Sequence, residues 1–108
     1  MRIAEVYRNG ELAGRLIEDN QHDYSFVYDD DYFANTTSSA VSLTLPKSQK
    51  EHSSKILFPF FFNMLSEGVN RKLQSRTLQI DEKDHFGLLM ATANNDTIGA
   101  VTIKQINE

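Results

Sequence analysis

Histidine changes charge near neutral pH and is the commonest metal ligand. The chain has three, His22, His52 and His85. They stand singly, without the H-x-x-x-H spacing that sets two imidazoles on one helix face. There are no cysteines, which excludes a thiolate zinc site, a cysteine nucleophile and a disulfide framework. Serine and threonine are plentiful, but none lies in a G-x-S-x-G elbow. His85 reads as an early-turn helix residue near solvent. Asp29, Asp30 and Asp31 lack the spacing of a calcium loop and read as a solvated turn. Gly10, Gly14, Gly68, Gly87 and Gly99 are scattered, so neither phosphate-cradling glycine motif is present. The expectation is a chain with no catalytic residue, no cofactor and no metal.

Two clusters of cations remain, Lys47/Lys50/Lys55 and Arg71/Lys72/Arg76. Neither is interleaved with aromatics as a base-stacking platform is. The balance of 11 Lys and Arg against 15 Asp and Glu gives a net charge of −4. That argues against direct nucleic-acid binding, which rests on clustered cations. Asn35 and Asn95 head N-x-[ST] triplets, and without a secretory signal these read as chance matches. One run resists a bland reading: Phe58-Pro59-Phe60-Phe61-Phe62. At about 100° per residue its last three rings span about 200° of a helix surface, wider than a normal buried stripe. Either its own domain wraps this helix on nearly all sides, or one aromatic edge meets a partner.

The elements that must carry these residues divide into two halves. Residues 2–8 and 11–18 flank Asn9-Gly10, the strongest short hairpin signal. Alternation sets Leu12, Gly14 and Leu16 against Glu11, Ala13 and Arg15. Gly14 marks a bulge or a close backbone approach. Residues 24–28 form a strand with Tyr24, Phe26 and Tyr28 on one face, and Asp29-Asp30-Asp31 ends it. Residues 41–45 alternate with Val41, Leu43 and Leu45 on one face, and Pro46 stops that strand. Residues 47–55, polar and rich in Ser and Lys, read as a loop and the best candidate for disorder.

The second half reads as helical. Residues 58–67 form a helix with Pro59 in the first turn and Gly68 at the C′ position. A short helix covers 70–74. Asp81 caps a helix over 82–93, with Asp84 at N3 and Phe86, Leu89, Met90 and Ala93 on one face. Residues 94–96 turn into a closing strand, 97–103. With the short 70–74 helix left out, the order β-β-β-β-α-α-β implies an α+β fold: a small antiparallel or mixed sheet with helices packed on one side. At 108 residues, 40% hydrophobic and 24% charged, the chain is one globular domain spanning 1–108. It buries roughly 65% of its unfolded surface. No apolar run approaches the roughly 20 residues of a membrane helix, and nothing resembles a signal peptide. The expected location is cytoplasmic, with no membrane partner.

Four segments, in order, resemble the N-terminal subdomain of HipA-type serine/threonine kinase toxins. They are VYRNGELAGRL (6–16), VSLTLP (41–46), FPFFFNMLSEGVNR (58–71) and DHFGLLMAT with IGAVTI (84–103). The fitting residues are Leu43, Thr44, Leu45, Pro46, Phe61, Asn63, Leu65, Glu67, Gly68, Arg71, Phe86, Leu88, Leu89, Gly99, Ala100 and Val101. Ser66 stands where the family usually has proline, and Val69 where a bulkier, often aromatic, residue is common. The kinase body is missing. A chain that begins at Met1 and ends just after its last strand resembles the stand-alone, HipS-like subunit of three-component toxin–antitoxin systems. The alternative is an interaction subdomain cut from a full-length kinase.

The resemblance implies a non-catalytic antitoxin that docks on and neutralises a HipA/HipT-like kinase near the mouth of its active site. A helix-turn-helix, HipB-like DNA-binding protein enters only indirectly. A domain without catalytic groups regulates an enzyme only by binding its states differentially. The docking residues implied are Met64, Ser66, Glu67, Gly68, Val69 and Arg71. Glu67 and Arg71 make charged contacts, Met64 and Val69 fill an apolar pocket, and Arg71 is the first energetic anchor.

Overall fold

The computed structural model describes residues 1–65, 68–92 and 101–106, the side chains of 68 and 69 excepted. Strands β1 (Arg2–Arg8) and β2 (Glu11–Glu18) form the expected hairpin. Asn9 and Gly10 both take positive φ, 54° and 80°, the turn whose twist matches the flanking strands. β3 (Tyr24–Tyr28) pairs with β2, and β4 (Glu51–Ser54) with β3. β5 (Val101–Ile106) pairs with β1. The five-stranded sheet runs β4-β3-β2-β1-β5 with every pairing antiparallel.

Gly14 meets both expectations. The register slips between Val6↔Gly14 and Tyr7↔Leu12, leaving Ala13 as the extra, bulged residue. Ala13 and Gly14 are therefore both buried, against the simple alternation read from the sequence. A Cβ on Gly14 would lie 2.4 Å from the Val27 carbonyl oxygen.

One face of the sheet carries Ala4, Val6, Leu16, Phe26, Tyr28 and Ile103, all buried. Against it pack Phe61, Phe86, Leu88 and Leu89 from the helices. Phe26 lies against Tyr28 and Phe61, with centroids 4.9 and 5.8 Å apart.

Four helices lie among the described residues, and their bounds correct the sequence reading. The acidic run does not simply end β3. The Asp29 carboxylate accepts from the Asp31 and Tyr32 amides and caps α1 (Asp30–Ala34), which buries Tyr32 against Tyr28. The 58–67 helix ends early, at α2 (Pro59–Phe62). Met64 N–H bonds Phe61 O at 3.1 Å and Leu65 N–H bonds Phe62 O at 3.0 Å. These are the tight i→i+3 bonds of a closing turn.

Gly68 opens α3 (Gly68–Leu78) instead of closing the preceding helix, and α3 is longer than the expected 70–74. It ends with Gln79 at φ 56° and Ile80 N–H on Ser75 O, a Schellman closure. α4 (His85–Thr92) starts at His85 because Asp84, not Asp81, is its cap. Asp84 Oδ1 accepts from Gly87 N–H at 3.1 Å. Asp81 serves only the turn before it, accepting from Lys83 N–H. Residues 93–100, with the end of the expected helix, its turn and the start of the last strand, lie outside the described residues.

Residues 41–55 reverse the sequence reading. The 47–55 stretch contains β4, whose polarity suits an exposed edge strand. The 41–45 stretch is no strand. Leu45 N–H bonds Ser42 O at 3.0 Å, and Thr44 N–H bonds Ser42 Oγ at 3.2 Å. A serine that bonds its own backbone competes with a ladder, and here it closes a turn. Val41 and Leu45 are buried as expected, but Leu43 is 98% exposed.

A candidate docking surface on the Phe-rich flank

The three consecutive phenylalanines share the two fates left open by the sequence. Phe61 is fully buried, while Phe60 and Phe62 are half-buried. Proline at the start of α2 fixes its entry, and the early close of the helix leaves Phe62 at its end. There the Phe62 ring meets two elements. The Arg71 guanidinium of α3 sits 5.3 Å from its centroid. The His85 ring, first in α4, meets it edge-on at 5.0 Å and 85°.

Beside this junction opens a groove of about 360 Å³. Ile56, Leu57, Pro59, Phe62, Asn63 and His85 line it, and Ile56 at the rim is 68% exposed. Of α3, Arg71, Gln74 and Ser75 turn partly inward, while Lys72, Leu73, Arg76 and Leu78 are exposed. The 11 residues of α3 include three cations and no carboxylate. This flank is therefore apolar with a basic fringe on a chain of net charge −4.

Of the residues implied for docking, the structure brings Arg71 to this junction through Phe62. Met64 is half-buried and packs against the core. Gly68 and Val69 contribute the first turn of α3. Ser66 and Glu67 lie outside the described residues. His85, set aside in the sequence as a solvent-side residue, is half-buried in the junction. Ile56 and Leu57 were also missed. They are an isolated apolar pair after a polar stretch, with no periodicity to mark them.

A second, polar cavity of about 500 Å³ lies at the other side of His85. Arg2 Nε donates to Glu18 Oε1 at 2.8 Å, while Nη1 and Nη2 donate to Asp84 Oδ2 and Oδ1 at 3.0 and 2.8 Å. Tyr24 Oη donates to Glu18 Oε2 at 2.8 Å. The Arg2 guanidinium lies 5.0 Å from the Phe86 centroid. Glu18, only 6% exposed, thus has both oxygens engaged. Gly87 makes room: a Cβ there would lie 2.4 Å from Asp84 Oδ2.

The hydrogen bond from Arg2 holds the Asp84 carboxyl below the usual carboxylate range, against the opposing effect of burial. Burial, aided by the bond to Glu18, pushes the Tyr24 phenol up to about 12. The cluster joins β1, β2, β3 and the cap of α4. Its donors and acceptors answer one another, so it reads as a structural tie. No group of three or more metal-ligating side chains is poised to hold an ion among the described residues. The three histidines sit apart: His22 beside Glu18, His52 on the Pro46 carbonyl and His85 on Phe62.

The fold is an antiparallel five-stranded sheet faced by short helices, an α+β architecture. The family model for the HipA N-terminal domain matches residues 4–104, and the chain belongs to that family. A solved N-terminal domain of HipA toxin superposes with a TM-score of 0.76 at 28% identity, covering 100% of this chain and 95% of that one. An uncharacterized protein of Haemophilus influenzae is 32% identical over 105 residues, 97% of this chain and 93% of its own length. A putative kinase of Sinorhizobium fredii is 25% identical over 103 residues, 95% of this chain but 24% of its own length. The matches tie the chain to the HipA toxin context through its N-terminal domain, not through a catalytic domain. No helix among the described residues is long and apolar enough to cross a membrane.

Proposed function

We propose that this chain, acting as one domain over 1–108, is a non-catalytic antitoxin subunit in the cytoplasm. It binds and neutralises a HipA/HipT-like serine/threonine kinase, with a HipB-like DNA-binding protein joining only through that kinase. One observation carries the reading. The same domain makes up 93% of one relative and 24% of a putative kinase. A module found both nearly alone and as a quarter of a kinase-type chain is suited to serve such a kinase in trans. The docking element is the segment from Met64 through Ser66, Glu67, Gly68 and Val69 to Arg71, with Phe62 and the adjoining groove beside it. The basic fringe of α3 favours an acidic surface on the kinase, because complementary charge steers encounter and fixes register.

The test is co-expression with a HipA/HipT-like kinase from the same genome, scored by co-purification and by rescue of growth. Association with rescue is expected. Association without rescue would make the chain a structural subunit, as the matched quarter of the Sinorhizobium protein is part of a longer chain. Joint replacement of Glu67 and Arg71 by alanine is expected to weaken the complex. Unchanged binding would move the docking site elsewhere.

A further inference from the structure

We propose that the 42–45 turn is a second docking element, whose Leu43 side chain inserts into an apolar pocket of the kinase partner. The inference rests on the kinase-binding reading above and adds a surface to it that neither the docking segment nor the groove contains.

Leu43 is 98% exposed, but the backbone presenting it is held from both sides. Val41 and Leu45 are buried anchors, at 6% and 1% exposure. The buried Tyr28 hydroxyl accepts from Val41 N–H at 3.0 Å and donates to Leu45 O, so a single group clamps both flanks. Tyr28 is fixed in turn, stacked on Tyr32 at an interplanar angle of 4°. Inside the turn, Ser42 Oγ lies 3.0 Å from Thr44 Oγ1 and accepts from Thr44 N–H. The chain's own fold gains nothing from a leucine at this tip, where a polar residue would leave every one of these bonds in place. A large apolar side chain on a pre-ordered turn loses little freedom on binding, so less of its burial is offset by ordering.

The surroundings fix the chemistry of the occupant. The exposed neighbours Thr44 and Pro46 are uncharged. The nearby cations are occupied, Lys47 by the Asn35 and Ser38 carbonyls and Lys50 by Asp30. The contact is therefore apolar and needs no charge on the other side. In the putative kinase some three-quarters of the chain lies outside the matched region, so a domain of this kind shares one chain there with a larger body, the source of an apolar pocket for the leucine. A relative that the match covers to 93% has little further chain of its own with which to cover the leucine.

The test measures the affinity of the full chain for the co-expressed kinase, at low and high salt, for the native sequence, Leu43→Ser, Leu43→Met and Arg71→Ala. Leu43→Ser is expected to bind at least about tenfold more weakly, as an interface anchor does, equally at both salt concentrations, and Leu43→Met to restore most of the loss. Arg71→Ala loses its effect as salt rises, because an exposed charge is screened. Thermal melting of each variant alone is expected to match the native chain. Native affinity in Leu43→Ser, with Arg71→Ala weakened, overturns this proposal and leaves kinase docking intact. Failure of the native chain to bind overturns both. Self-association of the chain alone, abolished by Leu43→Ser, would make a second copy the occupant and also overturn the proposal.

Discussion

Two regions share His85 as a neighbour and use their polar groups in opposite ways. On one side, Arg2, Glu18, Tyr24 and Asp84 satisfy one another and tie three strands to the cap of α4. On the other, Phe62 is capped by Arg71 and His85 but borders a groove whose rim residue Ile56 stands in solvent. The first is closed, and the charge it holds is spent on folding. The second leaves apolar surface uncovered, and among the described residues no carboxylate forms an ion pair with the cations of α3, although the chain as a whole is acidic. Charge alone therefore does not mark function in this molecule. What separates the two regions is whether the groups around the charge already have partners.

The comparison breaks most visibly at Arg2. Arg2→Ala strands Glu18, nearly buried, without its cation, and is expected to cost about 2–3 kcal/mol in urea unfolding, less than the roughly 3–5 kcal/mol of a fully buried pair because Arg2 and Asp84 are about one-third exposed. A loss no larger than that of an ordinary surface change would mean that the tie is dispensable. The next test is acid. The Asp84 carboxyl is held low in the folded chain, so its contribution is complete above the ordinary carboxylate value of about 3.9 and fades as pH falls through its folded value. Stability measured from pH 6 downward is expected to drop below about pH 4, and the part due to Asp84 to vanish in Asp84→Asn.

Base gives the mirror case. Tyr24, raised to about 12, favours its neutral form in the fold. Its contribution is complete below the ordinary tyrosine value of about 10 and is lost as pH rises through about 12. Tyr24→Phe is expected to lessen the fall in stability between those values, the remainder belonging to Tyr7, Tyr28 and Tyr32, which are also raised. On the open side the effects shrink. Arg71→Ala removes a cation–π contact worth about 0.5–1 kcal/mol at an exposed site, and Leu73→Ser should stay within about 0.5 kcal/mol by thermal melting. If either proves as costly as Arg2→Ala, the two regions do not differ in the way described.

The parts of the fold legible in the sequence were those where local chemistry and packing agree. Asn9-Gly10 demands its turn, and Tyr24, Phe26 and Tyr28 alternate because the β3 face they share is the core face. Where a local bond overrides the pattern, the reading failed. Val41, Leu43 and Leu45 alternate like a strand, but the Ser42 hydroxyl folds them into a turn. Edge strand β4 is polar on both faces and carries no apolar alternation to read. α3 buries so little of itself that its sequence holds no stripe. In the candidate site, Arg71 was reached through family resemblance. Its junction with Phe62 and His85 was not, because that contact joins three elements whose meeting no spacing records.

The sheet order has a consequence for the growing chain. β1 acquires β2 as a neighbour within a few residues of synthesis, but its other edge waits for β5, Val101–Ile106. Long-range pairing of this kind is slow because the intervening loop must close first. Until then β1 offers an unpaired edge beside the hairpin, a template for joining another chain. The nascent protein on the ribosome is most exposed to misassembly at this edge just before β5 emerges.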